Sequence, residues 1–363
     1  MKQLLKQVLI LIVPSLLILA LSASASTAPT RRVVRASGPI TTLAIDGPRV
    51  VYGTDGNGVY VWDVRSGKTA RVRRPTKSDS PLVQEVAIAG TRVAWITRSV
   101  HGISLETSER LFTASGTGSG VRQLGHAFRV TRGMNQLWDG DWMTGLVGSA
   151  KVLAVSRWTE TLLPDSSGTT ITNARLSSIA KTGLRTIAVG DRTIVSRSAD
   201  AGHVAVLRTD GTVGIYSPTG SLLREITPTS AQEIALGGGR LVVLTKAKTL
   251  EAYGSETGLL RESWPIEAKG LAGHLQAYGR VAIVSVDPRY VDRDLRVFDL
   301  KTGKSVTLPK QERSGWNDAS VGPLGIVYAV NSHRAYGGHH PSGSLVFVST
   351  ARVLAGIARG QLK

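Results

Sequence analysis

The chain contains no cysteine among its 363 residues. Disulfide bonds, thiolate metal sites and cysteine nucleophiles are therefore excluded together. Aromatic residues make up only 5% of the chain, and we find no Pro-rich or low-complexity linker that would divide it. Long amphipathic helices are also scarce in the pattern, because apolar residues alternate with a period of two and β-branched residues are frequent. These absences favour a single all-β unit that is stabilised by an ordinary apolar core.

Acidic residues are few relative to basic ones, since 26 Asp and Glu oppose 44 Lys and Arg and give a net charge of +18. A charge of this size bears on partners and solubility rather than on the fold. We expect an anionic envelope polymer, a lipid headgroup surface or an acidic protein as partner, and no nucleic acid. The alternative is a solvated basic surface that has no specific partner.

The N-terminus has the outline of a secretory signal peptide. Lys2 and Lys6 precede an apolar run from Val8 to Leu21, and the small residues Ala23 and Ala25 follow. The run is shorter than the about 20 apolar residues that a membrane-spanning helix needs. We therefore expect residues 1–25 to be removed and the mature protein to be secreted or held in the cell envelope. An uncleaved anchor is the alternative.

Two short elements recur along the mature part of the chain. The first is an apolar strand, a glycine turn and a second strand that begins with arginine, as in Leu43–Tyr52 and Val86–Trp95. The second is an alternating strand that ends in an aromatic residue and a tight turn, as in Val59–Lys68 and Leu295–Lys304. The spacing centres on about 40 to 50 residues, which is typical of the blades of a β-propeller.

The turn Asp-x-x-Thr/Ser-Gly-Lys after an aromatic-ended strand resembles the repeats of WD40-like and quinoprotein-like (PQQ-repeat-like) propellers. The resemblance covers most of residues 40 to 350, although Trp62-Asp63 is the only Trp-Asp pair at the expected place. It implies an all-β fold, a single propeller of four-stranded blades over residues 41–358, with seven blades as the expected number. Stacking of neighbouring blades in a ring would bury Trp62, Tyr216, Tyr253 and Phe298.

Closure of such a ring requires the two ends of the chain to meet. Residues 26–40 contain the strand-like segment Arg31–Arg35, which could pair with the last blade. The run Val353–Ala358 could supply that outer strand instead, and the sequence leaves both possibilities open.

Candidate site residues are scattered. The stretch Trp138-Asp139-Gly140-Asp141-Trp142 is the most unusual, and a glycine-rich loop contains a group of histidines. The binding candidates are Trp138, Asp139, Asp141, Trp142, His333, His339 and His340. Basic residues in or near predicted loops are candidates for contact with an anionic polymer. These are Arg71, Arg73, Arg74, Lys77, Arg289 and Arg293.

No group of residues has the spacing that a known catalytic mechanism requires. The acidic group Asp287, Asp292 and Asp294 matches no EF-hand loop and is interleaved with arginines. We therefore expect no metal, no cofactor and no catalytic residues. The sequence favours a monomeric binding or scaffolding propeller. The alternative is a propeller enzyme, either a quinone-cofactor dehydrogenase or a polysaccharide hydrolase or lyase.

Overall fold

The computed structural model describes residues 29–74, 81–101, 106–132, 137–163, 168–190, 196–267, 272–286, 294–308, 319–332 and 342–362. These ranges hold 28 β-strands and one helix. The predicted all-β class is confirmed. No helix in the described ranges is long and apolar enough to cross a membrane. The predicted signal peptide lies outside the described residues.

The strands form antiparallel units of four, which we number in chain order. Unit 1 contains β2 (Ile40–Asp46), β3 (Arg49–Thr54), β4 (Val59–Asp63) and β5 (Thr69–Arg73). Unit 2 contains β6 (Leu82–Ala89), β7 (Arg92–His101), β8 (Glu106–Ser115) and β9 (Arg122–Arg132). Unit 3 contains β10 (Leu137–Ser149), β11 (Val152–Leu162), β12 (Thr169–Ile179) and β13 (Leu184–Val189). Unit 4 contains β14 (Ser196–Asp200), β15 (His203–Leu207), β16 (Val213–Tyr216) and β17 (Leu222–Ile226).

The remaining units follow the same order. Unit 5 contains β18 (Ala231–Gly237), β19 (Arg240–Thr245), β20 (Thr249–Gly254) and β21 (Leu260–Pro265). Unit 6 contains β22 (Ala272–Tyr278), β23 (Val281–Val286), β24 (Asp294–Asp299) and β25 (Ser305–Thr307). Unit 7 contains β26 (Ala319–Gly322), β27 (Gly325–Ser332), β28 (Ser342–Ser349) and, as its outer strand, β1 (Arg31–Ala36). Helix α1 (Thr350–Arg359) follows β28.

The units are arranged around a channel as in a β-propeller. The first strand of each unit contacts the first strand of the next, and β26 of unit 7 contacts β2 of unit 1. Units 2 and 3 are joined through β9 and β10 into one eight-stranded sheet, whereas the other units are separate four-stranded sheets. The number of seven blades stays a prediction, because β6 to β13 form one continuous sheet.

The two candidate segments for the outer strand of unit 7 have different structures. β1 pairs with β28 in antiparallel register, from Arg31 opposite Val348 to Ala36 opposite Gly343. The run 353–358 lies in α1 instead, so the strand alternative for it was wrong. Val353, Gly356 and Ile357 are the buried residues of α1. They have the i, i+3, i+4 spacing of one helical face, which a β-strand cannot present to a core.

The apolar core lies between units rather than at the centre of the ring. Each of the four aromatic residues that end a repeat packs on the preceding unit, as predicted for Trp62, Tyr216, Tyr253 and Phe298. Trp62 is 1% exposed and shares a cluster with Leu345 and Phe347 of unit 7. Burial of these side chains against the neighbouring sheet therefore determines the stacking of the ring.

Polar side chains near the channel connect neighbouring units. Asp46 Oδ2 accepts a hydrogen bond from Gly90 N at 2.6 Å, and Glu85 Oε2 accepts one from Leu146 N at 2.6 Å. Asp200 Oδ2 and Glu233 Oε2 accept bonds from Gly238 N at 2.8 Å and from Leu275 N at 2.7 Å. Because a buried backbone N–H without a partner is costly, each bond stabilises one junction between units.

The turn after β24 shows why the repeat ends in Asp-x-x-Thr-Gly. Burial would raise the pKa of Asp299, but hydrogen bonds from Arg280, Thr302 Oγ1 and Lys301 N outweigh burial and hold this pKa below its usual value. Gly303 has φ +70°, and a Cβ there would lie 2.5 Å from Trp264 of unit 5. Glycine is therefore needed both for the turn and for close packing on the preceding unit.

We expect the Asp299 turn to make the protein sensitive to acid. A carboxyl group whose pKa is lower in the folded state stabilises the fold above the unfolded pKa, about 4 for aspartate, and this contribution is lost as the pH falls through the folded pKa. Urea denaturation between about pH 5 and pH 2 gives the slope of the unfolding free energy against pH. This slope should be smaller in Asp299→Asn than in the wild type. Arg280→Gln should reduce the slope in the same direction. An unchanged slope in both variants would contradict this role.

Candidate functional site

The strands of units 2 and 3 extend beyond the ring on one side. β7 to β12 are 10 to 13 residues long, whereas the other strands have three to eight residues. Pairing continues to the ends, as in His101 opposite Glu106 and Leu162 opposite Thr169. β9 and β10 pair here as well, through residues 129–132 and 137–140. We call residues 97–101, 106–110, 126–132, 137–144, 157–162 and 169–175 the six-stranded extension.

A buried ion cluster lies at the base of the six-stranded extension. Glu109 of β8 is fully buried and accepts from Arg98 Nη2 of β7 at 2.7 Å. Arg129 of β9 is 1% exposed, and its Nη1 lies 2.9 Å from Glu109 Oε2. Met143 N of β10 donates to the same carboxylate at 3.0 Å. Four adjacent strands are thus connected by one carboxylate, which neutralises an arginine that water does not reach.

The tryptophans of the extension pack next to the ion cluster. The guanidinium of Arg129 lies 3.5 Å from the ring centre of Trp142, and Trp158 of β11 stacks on Trp142 with 5.7 Å between ring centres. Because β9 and β11 flank β10 on opposite sides, both faces of the Trp142 indole are occupied. Trp138 meets Trp142 edge-on at 5.7 Å. Trp142 therefore packs within the extension. All three tryptophans are half-buried, and the outer rings Trp138 and Trp158 retain surface for contact.

Gly140 permits this close approach of β9 and β10. Its φ is +132°, and a Cβ at this position would lie 2.4 Å from Phe128 O and 2.7 Å from Arg129 Cα. A side chain would force the two strands apart. The unusual sequence around Gly140 is thus explained by the junction of units 2 and 3.

The two aspartates of this stretch do not share a face of β10 with its tryptophans. Side chains alternate along a strand, so Asp139 and Asp141 of β10 point to the opposite face from Trp138 and Trp142. Asp141 Oδ1 accepts from Thr159 Oγ1 at 2.8 Å. These four binding candidates are therefore divided between two faces of the extension.

Three of the basic candidates lie at the outer edge of unit 1. Arg71 and Arg73 lie on β5, the outer edge strand of unit 1, and Arg74 follows directly. Burial lowers the pKa of Arg73, while Arg71 and Arg74 are exposed. Arginine on a free sheet edge discourages pairing with another chain, which gives these residues a structural role. His333, His339, His340, Lys77, Arg289 and Arg293 lie outside the described residues.

The central channel is narrow and has an acidic end. It encloses about 140 Å³ of space open to water and is lined by the first strands of all seven units. Burial raises the pKa of Asp200, although hydrogen bonds from Gly238 N and Ser149 Oγ oppose this effect. The pKa of Tyr278 is raised by burial and by the charges of Asp200 and Asp46. In the described part of the chain, no three His, Asp or Glu residues are placed to hold a metal ion.

Sequence reasoning missed Arg98, Glu109 and Arg129, which organise the extension. Each lies in a stretch of alternating polar and apolar residues that looks like an ordinary exposed strand. Two signals could have indicated them. One is a glutamate within a run of β-strand residues, and the other is the length of the segment between two repeat units.

Comparison with known proteins supports the fold alone. The chain is similar to the β-propeller domain of Cps50 (Swd1) from Myceliophteria thermophila, with 14% identity, a TM-score of 0.53, and coverage of 88% of this chain and all of that one. It is also similar to a chain of the mitotic checkpoint complex, with 13% identity, a TM-score of 0.50, and coverage of 85% and 94%. No family model and no curated protein matches the sequence. The fold is a β-propeller.

Proposed function

We propose that this protein is an exported, non-catalytic β-propeller that acts as a binding or scaffolding module in the cell envelope or outside the cell. The observation that carries the proposal is the six-stranded extension, which projects from units 2 and 3 beyond the ring. Contact surfaces of repeat proteins are commonly built from insertions that cluster on one side. The basic balance of the chain favours an anionic partner, and acidic polymers of the envelope are the class we propose.

The hydrogen bonds of the polar groups near the channel argue against a catalytic role for these groups. Asp46, Glu85, Asp200 and Glu233 each accept a hydrogen bond from a backbone N–H of another unit. A catalytic carboxylate has to be free to exchange a proton with a substrate. These four groups are engaged in connecting the units, which supports a structural role for them.

The proposed function predicts salt-sensitive binding to envelope material. Protein recovered from the culture medium should begin near Ser26 by N-terminal sequencing, and it should co-sediment with purified anionic wall polymer at about 0.05 M salt. At about 0.5 M salt the bound fraction should fall severalfold, because the screening length shrinks to about 4 Å. An intact Met1 on membrane-bound protein would contradict export. Lack of co-sedimentation at low salt would reject the anionic polymer as partner.

A further inference from the structure

A pocket opens between units 4 and 5, away from the six-stranded extension. It encloses about 320 Å³ of space open to water, at the lower end of the range of about 300 to 1,000 Å³ that small-molecule sites have. Asp200 and Leu236 line both this pocket and the central channel, so the inner end of the pocket adjoins the channel. We call it the inter-unit pocket.

The turn between β18 and β19 leaves room for the inter-unit pocket. Each unit joins its first two strands by a two-residue turn, and the second turn residue carries a side chain in five units. These residues are Pro48, Thr91, Lys151, Arg280 and Leu324. In unit 5 the residue is Gly239, which lines the pocket with φ +75°, and a Cβ there would meet nothing within 4 Å. The pocket therefore opens where the repeat omits a side chain.

The wall of the inter-unit pocket is apolar. Ile215 of β16 and Leu236 of β18 are buried, and Leu223 of β17 is 48% exposed. Hydrocarbon that lies against these side chains is removed from water, and so is the exposed part of Leu223. Such burial contributes about 25 cal/mol for each Å² of apolar surface. The wall therefore suits a ligand that has an aliphatic part.

The inner end of the inter-unit pocket holds a buried carboxylate. Asp200 is 8% exposed; burial raises its pKa, and the nearby charge of Asp46 is also negative. Among the ion pairs of the described residues, none includes Asp200. Hydrogen bonds from Gly238 N, Ser149 Oγ and Ala201 N use three of the about four acceptor positions of a carboxylate. Asp200 thus keeps an acceptor position for a ligand.

The exposed charges of the lining have both signs. Arg224 and His203 are basic, and Glu256 is acidic. Water and salt screen charges at such positions, whereas a buried charge acts through a medium of low dielectric constant. Asp200 therefore determines which charge the inner end favours. It attracts a cation and repels an anion.

We propose that the inter-unit pocket binds an aliphatic ammonium ion, with the charge at Asp200 and the hydrocarbon chain against Leu223 and Leu236. An ammonium group donates hydrogen bonds and accepts none, which suits a carboxylate that lacks a basic partner. Hydrogen bonds between charged groups are shorter and stronger than neutral ones. The ammonium comes either from a lysine side chain of a partner protein or from a free alkylamine, since both combine this charge with an aliphatic chain.

The test is calorimetric titration of the purified protein with hexylamine, hexanol and hexanoate, which share a hydrocarbon chain and differ in charge. Hexylamine should bind saturably and about tenfold or more tightly than hexanol, as expected for a hydrogen bond between charged groups. Hexanoate should bind more weakly than hexanol. In Asp200→Asn the amine should lose its advantage over the alcohol. Hexanoate binding as tight as that of hexylamine, or no saturable binding of the amine, would overturn the proposal.

Leu223→Ser and Leu222→Ser form a matched pair of variants. The two leucines are neighbours on β17 with 48% and 50% exposure, and Leu223 lines the pocket whereas Leu222 does not. Leu223→Ser should weaken hexylamine and hexanol alike by severalfold, because the hydrocarbon chain loses apolar contact. Leu222→Ser should bind both like the wild type, and equal losses in the two variants would overturn the proposal. Because both leucines are exposed, this pair decides the matter even where Asp200→Asn fails to fold.

A blocked lysine, Nα-acetyl-lysine N-methylamide, distinguishes the two sources of the ammonium. Tighter binding of the blocked lysine than of hexylamine, lost in the norleucine analogue that lacks the ammonium, would identify a lysine side chain of a partner protein. Tighter binding of hexylamine would identify a free alkylamine.

Discussion

Replacement of Glu109 by glutamine is expected to lower the free energy of unfolding by about 3 to 5 kcal/mol, because it leaves a buried arginine without its counter-charge. Glu109 is fully buried and Arg129 is 1% exposed, so water cannot solvate the guanidinium after the change. Arg98 keeps 29% of its side-chain surface and can turn toward solvent, whereas Arg129 is confined below Trp142. Urea denaturation of the purified variant measures the loss.

Glu225→Gln is the control for the Glu109 variant. Glu225 also pairs with an arginine, Arg208, at 2.7 Å, but its side chain is 49% exposed. Exposed ion pairs contribute about 0 to 1 kcal/mol, so this variant should unfold close to the wild type. A Glu109→Gln protein as stable as Glu225→Gln would show that the ion cluster does not hold units 2 and 3 together. The double variant Glu109→Gln, Arg129→Met should recover part of the loss, because no buried charge then lacks a partner.

Trp62→Ala is expected to cost about 3 to 5 kcal/mol, since removal of a buried tryptophan leaves a cavity that the surrounding sheets cannot fill. The indole is 1% exposed and contacts the cluster that joins unit 1 to unit 7. The Tm should therefore fall by many degrees in a thermal scan. Trp138→Ala is the comparison: this ring is half-buried at the extension, and its loss should be smaller. Equal effects would place Trp62 outside the contact between units.

Trp62 was predictable because its position follows from a repeat. The aromatic residue ends an alternating strand in unit 1, and Phe298 does the same in unit 6, so one argument about stacking applied to both. The turn glycines were predictable for a similar reason, as Gly67 and Gly303 both have positive φ. Local patterns of this kind depend on a few neighbouring residues, which the sequence displays directly.

The extension was not predictable in the same way. The segment between Phe112 and Ala150 follows no repeat, because β9 and β10 are lengthened to pair with each other. The partners Glu109 and Arg129 are 20 residues apart, and nothing local distinguishes them from exposed strand residues.

Helix α1 shows the limit of an apolar pattern near a chain end. The run 353–358 suited a closing strand as well as a helix when only its composition was considered. β1 already pairs with the free edge of β28, so a second strand has no place there. The run instead buries Val353 and Ile357 on unit 7 as a helix.

The pairing of β1 with β28 has a consequence for the order in which the protein can be assembled. β1 is synthesised before β2 to β27, whereas its partner β28 is synthesised after all of them. Units 1 to 6 consist of consecutive strands and can form from local hairpins as they emerge, whereas unit 7 is complete only when β28 has joined β1. Closing so long a loop carries an entropic cost that local pairing avoids. A chain truncated before β28 would therefore leave β1 as an unpaired edge, open to pairing with another molecule.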